Sequence, residues 1–141
     1  RIANHFGQVR TRSATHAVGL GIEVLEIRPA AAVVRLTVRK EMLNGFGVCH
    51  GGVAYSLADS ALAFASNTHG TVTVSIQNGI SYPAPVHEGD ILTAVASEQS
   101  AANRVAFYQV TVTNQAGVAV AHFTGTVYRT TTPLDPHDSD R

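Results

Sequence analysis

Cysteine is nearly missing. Cys49 is the only one among 141 residues, so no internal disulfide can form, and a reducing compartment, the cytoplasm, is the expected setting. Charge is scarce as well: ten basic and ten acidic side chains cancel, and charged residues make up only 14% of the chain. Without a basic excess nothing displaces the counterions of a phosphate backbone, which argues against DNA or RNA as a partner. No apolar run approaches the roughly 18 residues that cross a bilayer, and the start lacks the charged-apolar-small order of a signal peptide. A membrane is therefore not an expected partner. Because residue 1 is Arg and the single Met is Met42, the natural start is expected upstream, with room for a targeting segment.

Hydrophobic residues, by contrast, supply 45% of the chain. That proportion suits one folded domain and not a disordered chain. So few charges leave a surface fit for burial against copies of the same chain, so an oligomer is expected. The domain is placed at residues 13–130, behind a partly flexible segment at 1–12. The Asp- and Pro-rich tail, from Thr130 and most clearly at 131–141, has nothing to pack and reads as disordered.

Six segments read as strands. Residues from Ile22 to Ile27 lead through a turn at Pro29 to an alternating run from Val34 to Arg39. Residues 71–76 alternate again, with Val72, Val74 and Ile76 on one face and Thr71, Thr73 and Ser75 on the other. Asp90 to Glu98, Arg104 to Thr113 and Val118 to Arg129 complete an antiparallel meander. Between the second and third strands, Gly51 to Thr68 is rich in Ala and Leu and predicts one helix of four to five turns, left through His69-Gly70. A shorter helix is expected near Ser13. The order β-β-α-β-β-β-β implies an α+β protein in which an antiparallel sheet wraps around one long central helix, the hotdog architecture.

From Met42 to His87, Asp59 is the only charged side chain apart from histidine. A carboxylate on a largely buried helix needs a partner, hydrogen bonds or a wet cleft. Asp59 shares a helical stripe with Ser56, Ser60, Ala63, Ser66 and Asn67, so a solvated face is one reading. The stripe lacks Lys, Glu and Arg, which better fits a helix facing a neighbouring subunit or a cleft. Ahead of the helix, Asn44-Gly-Phe-Gly-Val-Cys-His50-Gly-Gly52 lets backbone approach a ligand, and the first N–H groups of a helix are unpaired donors at its positive end. Such a turn can hold an oxyanion; a flexible loop with a helix cap is the plainer reading. Cys49 beside His50 is a poor nucleophile pair, since sequence neighbours seldom aim at each other. The seven histidines show no ligand spacing, so no metal is expected.

The run Asn44-Gly-x-Gly-x-x-His50-Gly-Gly-x-x-x-x-Leu-Ala-Asp59, between a strand and a long helix, resembles the hotdog-fold acyl-CoA thioesterases. It is most similar to the subfamily acting on hydroxyphenylacetyl-CoA and related aryl-acyl-CoA thioesters in phenylacetate degradation. The likeness extends over roughly residues 14–129, with further matches at Leu20-Gly-Ile22-Glu, Ala61 to Asn67, Pro85-x-x-x-Gly-Asp90 and Tyr108 to Asn114. The resemblance implies Asp59 as general base or nucleophile, the Gly51 N–H as the group polarising the thioester oxygen, Asn44 positioning the carbonyl or water, and His50 supporting the same wall. It implies Ser75 as a holder of the attacking water, with Gly52 and Phe46 among the substrate-binding residues. No cofactor is implied, coenzyme A being part of the substrate, and a homodimer or homotetramer is. Gln77-Asn-Gly79 has no place in the family pattern and is a candidate lining for the acyl pocket.

Eight residues separate Gly51 from Asp59, about 12 Å along one helix at 1.5 Å per residue. They cannot serve one carbonyl from the same chain, so a shared site needs a second, antiparallel helix from a partner copy. Two other readings compete: a hotdog dehydratase or hydratase with His50 as base, and a non-catalytic acyl-CoA sensor.

Overall fold

The computed structural model describes residues 20–134. The segment at 1–12, the helix expected near Ser13 and the chain beyond Leu134 lie outside the described residues. Within them, the strands are β1 (Glu23–Arg28), β2 (Ala31–Thr37), β3 (Thr71–Ser81), β4 (Ile91–Ala102), β5 (Val105–Thr113) and β6 (Ala119–Pro133). The helix α1 (Gly51–Ser66) lies between β2 and β3. All pairings are antiparallel, in the order β1-β2-β4-β5-β6-β3, and the sheet wraps α1 as the hotdog reading requires.

The helix forms because its apolar residues recur at helical spacing on one side. Val53, Ala54, Leu57, Ala58, Ala61, Leu62, Phe64 and Ala65 are buried. The facing strands bury alternate residues: Ala32, Val34 and Leu36 on β2, Leu92, Ala94 and Ala96 on β4, and Ala106, Tyr108, Val110 and Val112 on β5. Alanine on both surfaces lets helix and sheet backbones approach closely, and each fully buried Leu or Phe contributes roughly 1.5–3 kcal/mol. After a 3-10 turn at Asn67–His69, Gly70 adopts φ +85°, the left-handed exit expected of a glycine there.

Several boundaries differ from the sequence reading: β2 is shifted to Ala31–Thr37, β4 runs on from Glu98 to Ala102, the helix ends at Ser66, and the two changes that matter most fall in β3 and β6. β3 runs on to Ser81, so Gln77, Asn78 and Gly79 are strand residues; bulges after Thr71 and Ser75 break the period-two pattern that marked only its first half. β6 continues to Pro133, so Thr130 to Pro133 belong to the sheet and not to the tail. Thr71 pairs with Pro133, Thr130 Oγ1 donates to Val72 O at 2.7 Å, and Leu134 N–H donates to Gly70 O at 2.9 Å. Three consecutive threonines, β-branched and suited to a pleated surface, carry the strand through.

One corner of the sheet carries a pH-dependent contribution to stability. Asp90, whose side chain is 13% exposed, accepts the His87 N–H and the Gln115 side-chain amide, both at 2.9 Å, while Gln115 accepts the Ile91 N–H. The His87 backbone bond first, and the Gln115 bond second, hold the Asp90 carboxyl below its ordinary value of 3.8. Because the folded value lies below the unfolded one, ionised Asp90 stabilises the fold above about pH 4, and this is lost as pH falls through the folded value. The Tm difference between wild type and Asp90→Ala should therefore be widest near pH 7 and narrow below about pH 4. A difference that stays constant or widens in acid contradicts this assignment.

Candidate active site

The loop that enters α1 is built on Asn44. Its Oδ1 accepts the N–H groups of Phe46 at 2.8 Å and Val48 at 3.4 Å, its own N–H donates to Val48 O, and a bridge between Leu43 and Cys49 closes the loop. The carboxamide oxygen is thus committed to the loop, leaving the NH2 end as the part of Asn44 that can meet a substrate. Phe46 projects from the loop 92% exposed.

His50 stands at the N-cap but its side chain makes no capping bond, and the first turn carries no acidic residue. Among the described residues, neither the Gly51 nor the Gly52 N–H has an acceptor; the first N–H to find one is Val53, which bonds His50 O at 3.1 Å. Two unpaired donors at the positive end of a four-turn helix are suited to a developing oxyanion. Beside them opens a cleft of about 210 Å³ lined by Val48, Cys49, His50, Gly51, Ala54, Tyr82, Ala84, Pro85 and Val86. Burial, and then the charge of Asp90, push the Cys49 thiol above its ordinary range, which suits a packing residue and not a nucleophile.

Asp59 lies two turns further along the helix and is half-buried, as are Ser56, Ser60 and Ala63. Ser66, expected on the same stripe, is instead buried and bonded to Thr73 Oγ1 at 2.9 Å. Ser75 is exposed, but its register opposite the buried Val127 turns it to the helix side of the sheet. Its Oγ donates to Asn78 Oδ1 at 2.9 Å, and Asn78 Nδ2 donates to the Tyr55 hydroxyl at 3.0 Å. With its hydrogen committed, the Ser75 oxygen keeps its lone pairs for a water O–H. Tyr55 stands one turn before Asp59 on α1, so this chain of bonds leads from Ser75 towards the Asp59 face.

The structure therefore brings Asn44, Phe46, His50, Gly51 and Gly52 together at one end of α1 and separates them from Asp59 and Ser75. Gln77 and Gly79, candidates for the acyl pocket, line a different groove of about 360 Å³ with Phe107, Gln109 and Thr126, on the side of the sheet away from the helix. Only Asn78 of that triplet points towards the site. Tyr55 and Tyr82 escaped the sequence reading, because each matters through a partner distant in the chain, and Asn78, read there as a lining of the acyl pocket, is instead bonded to Ser75 and Tyr55. Among the described residues no three His, Cys, Asp or Glu side chains cluster as metal ligands. No described helix is long and apolar enough to cross a membrane.

The thioesterase superfamily pattern matches residues 46–121, more than half of the chain. The acyl-coenzyme A thioesterase PaaI of Escherichia coli K12 is 38% identical over 113 residues, covering 80% of this chain and 81% of that protein. The solved structure of the E. coli PaaI protein, from the phenylacetic acid degradation operon, superposes with a TM-score of 0.83 over 92% of this chain and 98% of that one. A mutant of the phenylacetic acid degradation protein PaaI from Thermus thermophilus is 41% identical, with a TM-score of 0.79 over 82% and 99% of the two chains. The smu.793 protein of Streptococcus mutans UA159, solved with acetyl-CoA, is 26% identical, with a TM-score of 0.77 over 80% and 91%. The chain belongs to the thioesterase superfamily. It is a hotdog-fold thioester hydrolase.

Proposed function

We propose that the protein hydrolyses acyl-CoA thioesters, of aryl-acyl (phenylacetyl- or hydroxyphenylacetyl-CoA) type or of short to medium chain length, to the free acid and coenzyme A. The observation that carries this reading is the pairing of two acceptor-free N–H groups, Gly51 and Gly52, with a single half-buried carboxylate, Asp59, on one helix in an otherwise uncharged stretch. The relatives' phenylacetic acid context and the acetyl-CoA bound by the S. mutans protein support the substrate class.

In this mechanism Asp59 either takes a proton from water as the water oxygen attacks the thioester carbon, or attacks that carbon itself, expelling the thiolate and forming an acyl-Asp59 anhydride that water then hydrolyses to free acid and regenerated carboxylate. Ser75 accepts a hydrogen bond from the attacking water. The carbonyl oxygen, gaining negative charge, is held by Gly51 N–H with Gly52 beside it, and Asn44 NH2 orients the carbonyl. A preorganised donor of this kind is worth roughly 10²- to 10³-fold in rate. When the C–S bond breaks, coenzyme A leaves as a thiolate and takes up a proton, with no metal needed to assist it. His50 and Phe46 flank the acyl-CoA.

The α1 helix separates Gly51 from Asp59 by about 12 Å, so each site draws Gly51 and Asn44 from one copy and Asp59 from another. Support comes from β3, an 11-residue edge strand with no charge and no proline, whose Val74 and Ile76 are 50% and 56% exposed. Edge strands normally carry such protection, and its lack suits pairing with a second copy. Antiparallel pairing of two β3 strands about a two-fold axis also sets the two helices antiparallel. A homodimer, or a tetramer of two such dimers, working in the cytoplasm, is the proposed state.

Thiol release from a panel of acyl-CoAs tests the reading. Hydrolysis should be measurable on aryl or short to medium acyl groups and should persist in EDTA. Loss in EDTA restored by zinc would refute the metal-free mechanism. Tight binding without thiol release would mark a sensor, and hydration of enoyl-CoA a hydratase with His50 as base.

A further inference from the structure

The start of α1 has no conventional grip: the N-cap side chain is idle, the first two residues are glycines, and no carboxylate sits in the first turn. Glycine is the residue that gives up most backbone freedom on ordering, and uncapped helix ends fray. Yet the two donors that the thioesterase reading needs are the N–H groups of these glycines.

Tyr82, just past the end of β3, lies against this turn in two ways. Its hydroxyl donates to Gly51 O at 2.8 Å. Its ring covers the Gly51 Cα: a Cβ added there would meet Cζ at 2.9 Å and Oη at 3.0 Å, so no larger residue fits at position 51 while Tyr82 stays in place. The carbonyl that Tyr82 holds belongs to the peptide whose other end is Gly52 N–H. A bond to the oxygen fixes the plane of that peptide and strengthens its N–H as a donor, by a cooperative effect of about 10–30%. The contact also makes Tyr82 a wall of the cleft beside His50 and Gly51.

We propose that Tyr82 is the positioning residue of the oxyanion-binding turn, pinning the Gly51–Gly52 peptide through its hydroxyl and ring so that both N–H groups face the thioester oxygen. This rests on the reading of the site given above. Burial, and then the neighbouring Tyr55, hold the Tyr82 phenol above its ordinary value, so it remains a donor throughout the range in which the reaction is assayed.

Steady-state hydrolysis of phenylacetyl-CoA and acetyl-CoA by wild type, Tyr82→Phe and Tyr82→Ala provides the test, together with the thermal stability of Gly51→Ala made alone and with Tyr82→Ala. Tyr82→Phe keeps the ring and loses one neutral hydrogen bond, so kcat should fall about fivefold with KM within about twofold. Tyr82→Ala should lose about a hundredfold in kcat, comparable to removing one oxyanion-hole donor. Gly51→Ala should lower Tm in the presence of Tyr82 and have little effect once Tyr82 is Ala. If KM rises while kcat is unchanged, Tyr82 only lines the acyl pocket; if Tm falls while kcat is unchanged, it only supports the fold. Either result overturns the proposal, as do additive Tm losses. A wild type that releases no thiol overturns the reading of the site and this proposal with it, whereas normal wild-type turnover with unaltered kcat in both Tyr82 variants overturns this proposal alone.

Discussion

Asp59→Asn should stay folded and assembled but lose at least about two orders of magnitude in turnover. Asparagine has the same shape and burial as Asp59, so the half-buried helix face keeps its packing. What it lacks is the capacity to take a proton from water or to attack a carbonyl carbon, and at neutral pH water is too poor a nucleophile to react unaided. The loss should fall on kcat, because in the proposed site substrate binding rests on the loop at residues 44–50 and the Gly51 turn, which the substitution leaves intact. Thiol-release kinetics beside Tm and size-exclusion chromatography separate the chemical effect from a structural one. Near-normal turnover would return Asp59 to the role of a solvated surface residue.

The helix and its exit were legible because Ala and Leu fill residues 51–65 with no proline and Gly70 supplies the left-handed turn. The alternation from Val34 to Val38 marks the inner face of β2, whereas on β4 and β5 apolar Ile91, Val95 and Phe107 also face outward, so sequence alone does not say which side is buried. β3 was legible only to Ile76: a bulge shifts the alternation, and Gln77-Asn-Gly79 has the composition of a turn. The side of Ser75 is set by its register opposite the buried Val127 on β6, which local periodicity alone cannot give. β6 ran into a segment whose Asp and Pro content masked three β-branched threonines. At the site, Asn44, Gly51 and Asp59 stand out because their residue types are unusual where they occur. Tyr82 does not, since its significance depends on Gly51, 31 positions earlier, and appears only once the β3–β4 loop is folded over the start of α1.

The largest gain of activity is expected from mixing two dead variants. Asn44→Ala strips the loop of the oxygen that holds Phe46 and Val48 and of the NH2 proposed to orient the carbonyl, and Asp59→Ala removes the proposed base or nucleophile. On the proposed two-fold dimer, each homodimer of one variant lacks one proposed essential group in every site. In a mixed dimer with shared sites, one site collects both defects and the other collects none.

The most direct measurement is therefore the activity of Asn44→Ala and Asp59→Ala chains co-expressed, or unfolded and refolded together, with mixed dimers verified by differential tags. Random pairing makes half of the dimers mixed, and each carries one intact site of two, so about a quarter of wild-type activity should return. Verified mixed dimers with no recovery would show that Asn44 and Asp59 act from the same chain, which contradicts a site built across two antiparallel α1 helices.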